Sequence, residues 1–559
     1  MKILLATIIA ASLSVSCSVL EGEQVSSDTG GGSTAAPPPS GNNSNGPTVY
    51  MDCDSGVESP TRSAFGEHAV WSRNVTNCDG DGRLSADTTD KNGNLYFMMN
   101  GGSGPTNTKI VKLNNNGSEQ WSQVFSSDFE NHTHDPWGSN RLIVDTHGNL
   151  YGITSESYNS YSPADDNKTL KSILFKVSTA GVEQWRVEDT YTTEVGYHSY
   201  YPIEVFVDSS GNFYTSRRIV VEVHDSSTHI YDRYQQTTID KYSSGTGEKL
   251  WRKDFVSDNT YYHHSANVVF ESSGGFYIKT EENVYGDDGS SIIGTEHKIA
   301  KYNNDGVELW RKSVDSESMN SLTVDGDNVY FVSTDGTTGS FFLFKYSHAG
   351  MELWKNNVPS LHGEIRLAQD GSVYFNGNYT IIKYSTAGSY LWTKSFSSDS
   401  EIPHMHSSIK LDAAGNIYRS QESEETHDNG TKTRRNTLTK YSSNGIEQWA
   451  SDVIDVTVAY DHIHSGSHPF IDASGNVFVH SHVHGYTSGS TPGNFNQTVL
   501  AKYSSDGTKL WEGANNDRFH GGLTAGQNGE VYLFDNQYSN FDSMGYPMGP
   551  GTSFYLKLR

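Results

Sequence analysis

Short apolar segments separated by polar turns follow one another along most of the chain. Residues 140–189 show the pattern as NRLIVD, NLYGITSE, SILFKV and EQWRVED, with Gly-containing turns at THGN and STAG. Segments of this length, rich in Ile, Leu, Val, Tyr and Trp and bounded by Gly, Asn and Asp, are typical of β-strands joined as hairpins. The pattern therefore predicts a repeating unit of four strands.

Two phrases mark these units and alternate strictly along the chain. The first has the form VDSSGNFY (207–214), and its copies, some of them loose, place a turn glycine at nine positions: Gly93, Gly148, Gly211, Gly274, Gly326, Gly371, Gly415, Gly475 and Gly529. The second has the form KYSSDGTKLW, and in all eight copies a Gly lies four residues before the Trp: Gly117/Trp121, Gly181/Trp185, Gly247/Trp251, Gly306/Trp310, Gly350/Trp354, Gly388/Trp392, Gly445/Trp449 and Gly507/Trp511. Length varies only in the polar stretches between the phrases, as in repeat folds with variable loops on a constant core.

Four-stranded repeats of this length predict an all-β chain that forms a single large β-propeller. We count nine blades, with eight blades and one displaced unit as the alternative. The last repeat ends in SFYLKLR (553–559) without a Trp strand, whereas EHAVWSRNV (67–75) carries Trp71 with no strand before it. We therefore expect the Trp71 strand to complete the last blade, which closes the ring and removes its exposed edges.

Both phrases have a structural interpretation within a blade. In the first, Asp208 is expected to accept hydrogen bonds from backbone amides while Gly211 or Asn212 supplies a positive φ. In the second, the Lys–Tyr pair and the Trp are expected to pack between neighbouring blades, where aromatic rings bury a large area.

The second phrase also carries a family resemblance. KYSSDGTKLW resembles the tryptophan-docking repeat of quinoprotein dehydrogenases and of the eight-bladed outer-membrane assembly lipoproteins, and DxxGNxY resembles the repeats of propellers in bacterial secreted proteins. The resemblance covers about residues 65–559, and it implies the fold without implying an activity. Quinone chemistry in that family uses a disulfide between adjacent Cys residues. Because the Cys residues here are at positions 17, 53 and 78, we expect no quinone cofactor.

The N-terminus has the layout of an export signal. Residues 1–16 contain one Lys, an apolar run and then small residues, and the segment is too short to span a membrane. The position of Cys17 resembles the cleavage box of bacterial lipoproteins, which implies lipidation of Cys17 and outer-membrane or cell-surface localisation; an ordinary secretory signal is the alternative. Residues 17–48 are rich in Gly, Ser, Pro and Asn and predict a flexible tether. The propeller domain then spans residues 49–559, and the membrane is reached only through the lipid.

Composition and charge narrow the class of partner. Hydrophobic residues make up only 34% of the 559 residues, yet 12% are aromatic, which favours short aromatic-rich strands with polar loops over a disordered chain. The net charge of −26 argues against a nucleic-acid partner, since phosphate binding needs basic surfaces. We expect a monomer that binds a protein partner or a polysaccharide.

Two features lie at the start of the propeller domain. If Cys17 is lipidated, Cys53 and Cys78 remain as a pair that would form a disulfide in an oxidising compartment. The stretch NCDGDGRLSAD matches the first half of a calcium loop, with Gly82 at the bend. An acidic turn is the alternative, and the candidate calcium ligands are Asn77, Asp79, Asp81 and Asp87.

Many of the 22 His residues precede the innermost predicted strand of a unit. Equivalent loops of a propeller meet at one face, so these imidazoles would form a ring at the mouth of the central channel and bind a divalent metal or an anionic ligand. The alternative is that repetition copies a His that bonds a turn. Pairs at i, i+2, such as His462 and His464, share one side of a strand. The candidates are His132, His134, His198, His264, His362, His406, His464 and His520.

Three functions are consistent with these features. The first is a surface-anchored binding or assembly scaffold whose propeller face binds a ligand or a protein partner. The second is a polysaccharide lyase or hydrolase, with candidate catalytic residues His263, His264, His404, His406, Tyr262 and Arg518 at the channel mouth. The third is a metal-binding or redox protein that uses the His ring. No nucleotide-binding loop, GxSxG elbow or Cys/His zinc spacing is found in the sequence.

Overall fold

The structure is a computed structural model. It describes residues 69–74, 83–100, 107–126, 140–157, 168–193, 197–200, 204–225, 230–257, 268–285, 292–314, 319–335, 338–361, 363–377, 379–396, 407–458, 462–486, 494–515, 522–526, 530–541 and 547–558. None of these residues lies in a helix, so this part of the chain contains no helix that could cross a membrane.

The described strands form nine antiparallel sheets, which confirms the all-β propeller and the count of nine blades. Blade 1 comprises β2 (Arg83–Thr89), β3 (Leu95–Asn100), β4 (Asn107–Leu113) and β5 (Glu119–Ser126). Blade 2 comprises β6 (Arg141–Val144), β7 (Leu150–Ser157), β8 (Lys168–Val177) and β9 (Glu183–Thr193). Blade 3 comprises β11 (Glu204–Val207), β12 (Phe213–Asp225), β13 (Ile230–Tyr242) and β14 (Lys249–Ser257), with β10 (Tyr197–Tyr200) as an added strand on β12.

The middle blades have the same strand order. Blade 4 comprises β15 (Val268–Phe270), β16 (Phe276–Tyr285), β17 (Ile292–Tyr302) and β18 (Glu308–Val314). Blade 5 comprises β19 (Met319–Val324), β20 (Asn328–Thr334), β21 (Phe341–Ser347) and β22 (Glu352–Val358). Blade 6 comprises β23 (Glu364–Leu367), β24 (Val373–Gly377), β25 (Thr380–Tyr384) and β26 (Tyr390–Ser395).

The last three blades bring the chain back to its start. Blade 7 comprises β27 (Ser407–Leu411), β28 (Ile417–Thr426), β29 (Lys432–Tyr441) and β30 (Glu447–Val458). Blade 8 comprises β31 (His462–Ile471), β32 (Val477–Tyr486), β33 (Asn494–Tyr503) and β34 (Lys509–Asn515). Blade 9 comprises β35 (Gly522–Ala525), β36 (Val531–Phe541), β37 (Pro547–Leu558) and, from the other end of the domain, β1 (Ala69–Asn74).

The ring closes as the sequence predicts. Strand β1 pairs antiparallel with β37, with Trp71 opposite Lys557 and Ser72 opposite Leu556. The core is distributed around the ring, because the described buried apolar residues form nine clusters and each one joins two adjacent blades. The closing cluster joins Leu95, Phe97 and Val111 of blade 1 to Tyr532 and Tyr555 of blade 9. The apolar face of every sheet is thus buried against the next sheet.

The turn phrase folds as expected. In blade 3, Asp208 Oδ1 accepts hydrogen bonds from the backbone amides of Ser210 at 2.9 Å and Asn212 at 2.8 Å. Gly211 has a φ of 80°, which is strained for a residue with a side chain. The hydroxyl of Tyr214 donates to Asp208 Oδ2 at 3.0 Å, so the turn is hydrogen-bonded to a buried side chain of β12, the strand that follows it.

The second phrase joins neighbouring blades. Lys176 Nζ and Trp185 Nε1 of blade 2 both donate to the main-chain oxygen of Ser244 in the outer turn of blade 3, at 2.8 and 3.2 Å. Because a carbonyl oxygen has two lone pairs, one oxygen can accept both bonds. The same shared acceptor occurs with Lys112 and Trp121 on Thr179, Lys241 and Trp251 on Asn304, Lys345 and Trp354 on Thr386, Lys383 and Trp392 on Ser443, and Lys440 and Trp449 on Ser505.

Candidate functional site

Most of the residues proposed from sequence for a site lie outside the described residues. The lipidation, disulfide, calcium, His-ring and catalytic assignments therefore stay predictions at Cys17, Cys53, Asn77, Cys78, Asp79, Asp81, His132, His134, Tyr262, His263, His264, His362, His404, His406, Arg518 and His520.

Two candidate His residues lie within strands rather than in loops before a strand. His198 is in β10, opposite Val221 of β12. His464 is in the first strand of blade 8, opposite His484 of β32. In the part of the chain whose side chains are described, no three His, Cys, Asp or Glu side chains are grouped as a metal site would require.

Asp87, the remaining calcium candidate, lies at the joint between the first and last blades. Its Oδ2 accepts hydrogen bonds from Thr524 Oγ1 at 2.8 Å and from the Tyr555 hydroxyl at 3.2 Å. Burial raises the pKa of the Asp87 carboxyl, an effect that these two hydrogen bonds partly offset. In this structure the carboxylate links blade 1 to strands β35 and β37 of blade 9.

Blade 4 departs from the pattern of shared acceptors. Its turn carries Glu271 where most other copies have Asp. Lys301 Nζ lies 2.8 Å from Glu271 Oε1 and 3.0 Å from the Tyr277 hydroxyl. The imidazole of His348, from the outer turn of blade 5, also contacts Lys301 Nζ. Burial lowers the pKa of Lys301, while the adjacent Glu271 carboxylate acts in the opposite direction. Trp310 still donates to the main-chain oxygen of His348 at 2.8 Å.

A second charged cluster lies between blades 2 and 3. Asp189 of β9 accepts from Lys249 Nζ at 2.8 Å and from Arg252 at 3.3 Å, and the buried guanidinium of Arg217 lies 3.5 Å away. Arg252 also pairs with Asp240 at 2.7 Å. These side chains pair with one another between blades 2 and 3, so the cluster is a structural element of the joint.

The surface feature that stands out is a set of exposed apolar side chains in or directly before the fourth strands of blades 4, 5 and 6. We call this set the rim row; its side chains are between 47% and 63% exposed, and its members are Val307, Leu309, Met351, Leu353, Tyr390 and Leu391. Strands β18, β22 and β26, which carry the row or follow it directly, are the end strands of their sheets. Such strands present unpaired backbone N–H and C=O groups.

The repeat does not require apolar residues at these positions. Leu309 is the residue directly before the docking Trp, and blade 1 has Gln120 at the equivalent place before Trp121. Blades 2, 3, 7 and 8 each carry one exposed apolar residue at the corresponding places: directly before the Trp in Leu250 and Leu510, and directly after the turn Gly in Val182 and Ile446. Clustered apolar exposure marks interaction surfaces more often than scattered apolar exposure does. The apolar residues of the row can be recognised in the sequence when the eight copies of the second phrase are aligned.

Fold and repeat together define the class of this protein: it is a nine-bladed β-propeller, and part of its repeat array is similar to PQQ-like repeats. A family model described as outer membrane protein assembly factor BamB matches residues 235–342, about a fifth of the chain. The match runs from β13 of blade 3 to β21 of blade 5 and therefore includes part of the rim row.

Other comparisons give weaker likenesses. No curated protein matches the chain in sequence. Among solved structures, a eukaryotic initiation factor is similar with 10% identity and a TM-score of 0.40, over 80% of this chain and 96% of that chain. Prolyl oligopeptidase B from Galerina marginata follows with 13% identity and a TM-score of 0.33, over 72% and 55%. An ulvan lyase of family PL25 has 11% identity and a TM-score of 0.30, over 79% and 95%. None of these likenesses assigns an activity.

Proposed function

We propose that this protein is an outer-membrane-associated scaffold that binds a protein partner along the rim row of blades 4 to 6. The observation that carries the proposal is the concentration of six exposed apolar side chains on three consecutive blades. Exposing that much apolar surface is unfavourable in a free soluble domain, and burying it against a partner is favourable at about 25 cal/mol per Å².

The chemistry of the row favours an extended polypeptide as the partner. Strands β18, β22 and β26 are sheet ends whose outer backbone groups have no neighbouring strand in the described residues. An extended segment can add to such an edge through main-chain hydrogen bonds while its alternate side chains meet apolar pockets. Leu309, Leu353 and Leu391 occupy the same place in their blades, directly before the Trp, so they offer three equivalent apolar contacts.

The family match supports an assembly role at the outer membrane. The matched model is named for an outer-membrane protein assembly factor, and the matched residues include Val307 and Leu309 of the row. The N-terminal sequence fits the same location, since Cys17 and the polar tether after it would hang the propeller from a lipid.

Photo-crosslinking in cells tests the proposal. A photoreactive residue is placed at Met351, in the row, or at Ile446, which is exposed to a similar extent, 68% against 63%, but lies outside it. We expect a discrete protein adduct from position 351 and none from position 446, with the partner then identified by mass spectrometry. In the same experiment, the adduct at 351 should disappear when Leu309, Leu353 and Leu391 are all changed to Ser.

A matched triple variant controls for general effects. Leu250→Ser, Ile446→Ser and Leu510→Ser remove three side chains of comparable exposure from other blades. The free energy of unfolding of both triple variants should differ from that of the wild type by no more than about 0.5 kcal/mol per site, because exposed substitutions are nearly neutral. Equal adducts at positions 351 and 446, or an adduct that survives the row substitutions, would contradict the proposal.

A further inference from the structure

Blade 8 contains an unusual concentration of histidine. Of the 22 His residues in the chain, six lie between positions 462 and 486, in strands β31 and β32. They occupy alternate positions in both strands, so each strand carries its His residues on one face. The odd-numbered residues of β32 lie on the other face and include Val479 and Val483, which are buried in the cluster that joins blades 7 and 8. We call the set the His ladder: His462, His464, His468, His480, His482 and His484.

The strand register places both halves of the ladder on the same face of the sheet. His464 is directly opposite His484, and His468 is directly opposite His480. Residues opposite each other in an antiparallel pair share a face and have Cβ atoms about 4.5–5.5 Å apart. The ladder therefore brings imidazole-bearing residues together both along a strand and across two strands.

The two described side chains of the ladder have the spacing of a ligand pair. The ring centroids of His480 and His482 are 5.9 Å apart, with 30° between the ring planes. Two imidazoles on one tetrahedral ion have centroids about 5 Å apart, because each metal–nitrogen bond is about 2.1 Å long. A side-chain adjustment of about 1 Å would thus let both rings bind one ion.

The face that carries the ladder is turned toward blade 9. Phe478, two residues before His480, and Leu500, opposite His480 on β33, both pack with Val531 and Leu533 of blade 9. The ladder therefore continues along an interface whose other end is apolar. On the facing strand β36, Asp535 comes two residues after Leu533 and occupies the same face of its sheet. A carboxylate-bearing residue therefore occupies a position of blade 9 on the sheet face that packs against the ladder-bearing face of blade 8.

Repetition does not explain these histidines. Counted from the turn Asp, His480 is equivalent to Ser420 of blade 7 and Ser216 of blade 3. At the position of His482, blade 7 has Glu422. The scaffold accepts other residues at both places, so six His residues at same-face positions are a property of blade 8.

We propose that the His ladder binds a divalent transition metal ion between blades 8 and 9, with His480 and His482 as two ligands and His468, across from His480, as a third. Imidazole nitrogen favours Zn²⁺, Cu²⁺ and Ni²⁺ over the oxygen-preferring Ca²⁺ and Mg²⁺. The site differs from the predicted ring at the channel mouth, since it lies on one sheet face and draws its imidazoles from a single blade.

Metal titration of the full chain, purified and stripped with a chelator, tests the site. Zn²⁺ is titrated by calorimetry, and Co²⁺ is titrated in parallel because its visible absorption reports coordination by nitrogen. We expect one equivalent to bind, and His468→Asn and His482→Asn to weaken the affinity by at least 10-fold each. His147→Asn is the matched control, because His147 is exposed in the inner turn of blade 2 and its loss should leave binding unchanged.

The Zn²⁺ affinities of the ladder variants can be compared only if the variants stay folded. His482 is only half-buried, so His482→Gln is the mildest ladder variant, and its circular dichroism and unfolding midpoint in the metal-free state should match the wild type. Failure of the wild type to bind Zn²⁺ at stoichiometric concentrations would overturn the proposal. So would equal Zn²⁺ affinity in the folded ladder variants and in His147→Asn.

Discussion

The hydroxyl of Tyr532 in the last blade donates a 2.7 Å hydrogen bond to the main-chain oxygen of Gly93 in the first blade. The same contact joins neighbouring blades elsewhere in the ring, from the Tyr151 hydroxyl to the main-chain oxygen of Gly211 at 2.9 Å and from the Tyr374 hydroxyl to that of Gly415 at 3.1 Å. Lys557 completes the likeness, since its Nζ donates to the main-chain oxygen of Asn115 at 3.3 Å. The closing joint of the ring is therefore built from the same contacts as the internal joints.

Removing the Tyr532 hydroxyl should lower the free energy of unfolding as much as removing the equivalent hydroxyl of Tyr374 at an internal joint. We expect Tyr532→Phe and Tyr374→Phe each to lower the free energy of unfolding by about 0.5–1.5 kcal/mol, because each loses one buried hydrogen bond. Urea denaturation measures both, and Tyr390→Phe, with a side chain that is 61% exposed, is the unaffected control. If Tyr374→Phe lowers the free energy of unfolding and Tyr532→Phe does not, the Tyr532 hydrogen bond at the closing joint does not stabilise the folded ring.

Substitution of Gly350 should be among the most damaging changes to a turn. Gly350 has a φ of 77°, and a Cβ atom there would lie 2.7 Å from Trp310 Cδ2 of the preceding blade. The left-handed backbone costs an L-residue about 1–2 kcal/mol, and overpacking adds about 1–3 kcal/mol. Gly350→Ala is therefore expected to lower the unfolding free energy by the sum of both effects.

Two other glycines separate those effects. Gly326 has a φ of 93° with no atom within 4 Å of a built Cβ, so Gly326→Ala reports the backbone cost alone. Gly245 has neither constraint, and Gly245→Ala should be close to neutral. Thermal or urea unfolding should rank the losses as Gly350→Ala, then Gly326→Ala, then Gly245→Ala. A loss in Gly350→Ala no larger than that in Gly326→Ala contradicts the clash with Trp310.

The repeat explains what could be predicted from sequence. The hairpin role of Asp208, the docking role of Trp185 and the closure by the Trp71 strand are each specified by a local phrase that recurs. Contacts that occur only at one joint of the ring are not specified by a recurring phrase. The partners of Asp87 are 437 and 468 positions away in the chain, and no local pattern indicates that Thr524 and Tyr555 meet it.

Departures from the repeat could be predicted only in part. Glu271 is visible in the sequence as a replaced Asp, but its ion pair with Lys301 depends on a lysine that elsewhere reaches the next blade. The His ladder follows from the register of β31 on β32, which sequence alternation alone does not fix. The predicted catalytic and His-ring residues lie almost entirely outside the described strands, so their roles stay predictions.

The partly buried carboxyl of Asp87 predicts a pH dependence of stability. Burial raises its pKa in the folded state above that of the unfolded chain, so the folded protein holds this proton more tightly. The associated stability is fully present below the unfolded pKa of about 3.9 and is lost as the pH rises through the folded value. Asp87→Asn cannot ionise, and its oxygen can still accept hydrogen bonds from Thr524 and Tyr555.

The comparison of wild type with Asp87→Asn measures this dependence. Unfolding free energies are determined from pH 4 to pH 8 for both proteins. We expect the variant to gain stability relative to the wild type as the pH rises, and the two curves to approach each other at acid pH. Asp506→Asn, at a fully exposed turn, should show no such relative gain. A difference between wild type and Asp87→Asn that is constant with pH would show that the Asp87 pKa is not raised.

The charged cluster between blades 2 and 3 should be sensitive to the loss of one member. Burial alone would raise the pKa of the Asp189 carboxyl, but the Lys249 hydrogen bond and the charges of Arg217 and Arg252 lower it. Arg217 has a side chain that is only 2% exposed. Asp189→Asn therefore leaves a buried guanidinium beside a neutral amide, and removing one partner of a buried pair costs about 3–5 kcal/mol.

A surface pair on the same strand supplies the control for Asp189. Glu183 pairs with Arg186 at 2.9 Å, with both side chains about one-third exposed. Glu183→Gln should cost no more than about 1 kcal/mol, since exposed ion pairs contribute little. The double variant Asp189→Leu with Arg217→Met removes both charges and should recover part of the loss in urea denaturation. If Asp189→Asn costs no more than Glu183→Gln, the charge of Arg217 is compensated by other groups and the cluster does not depend on Asp189.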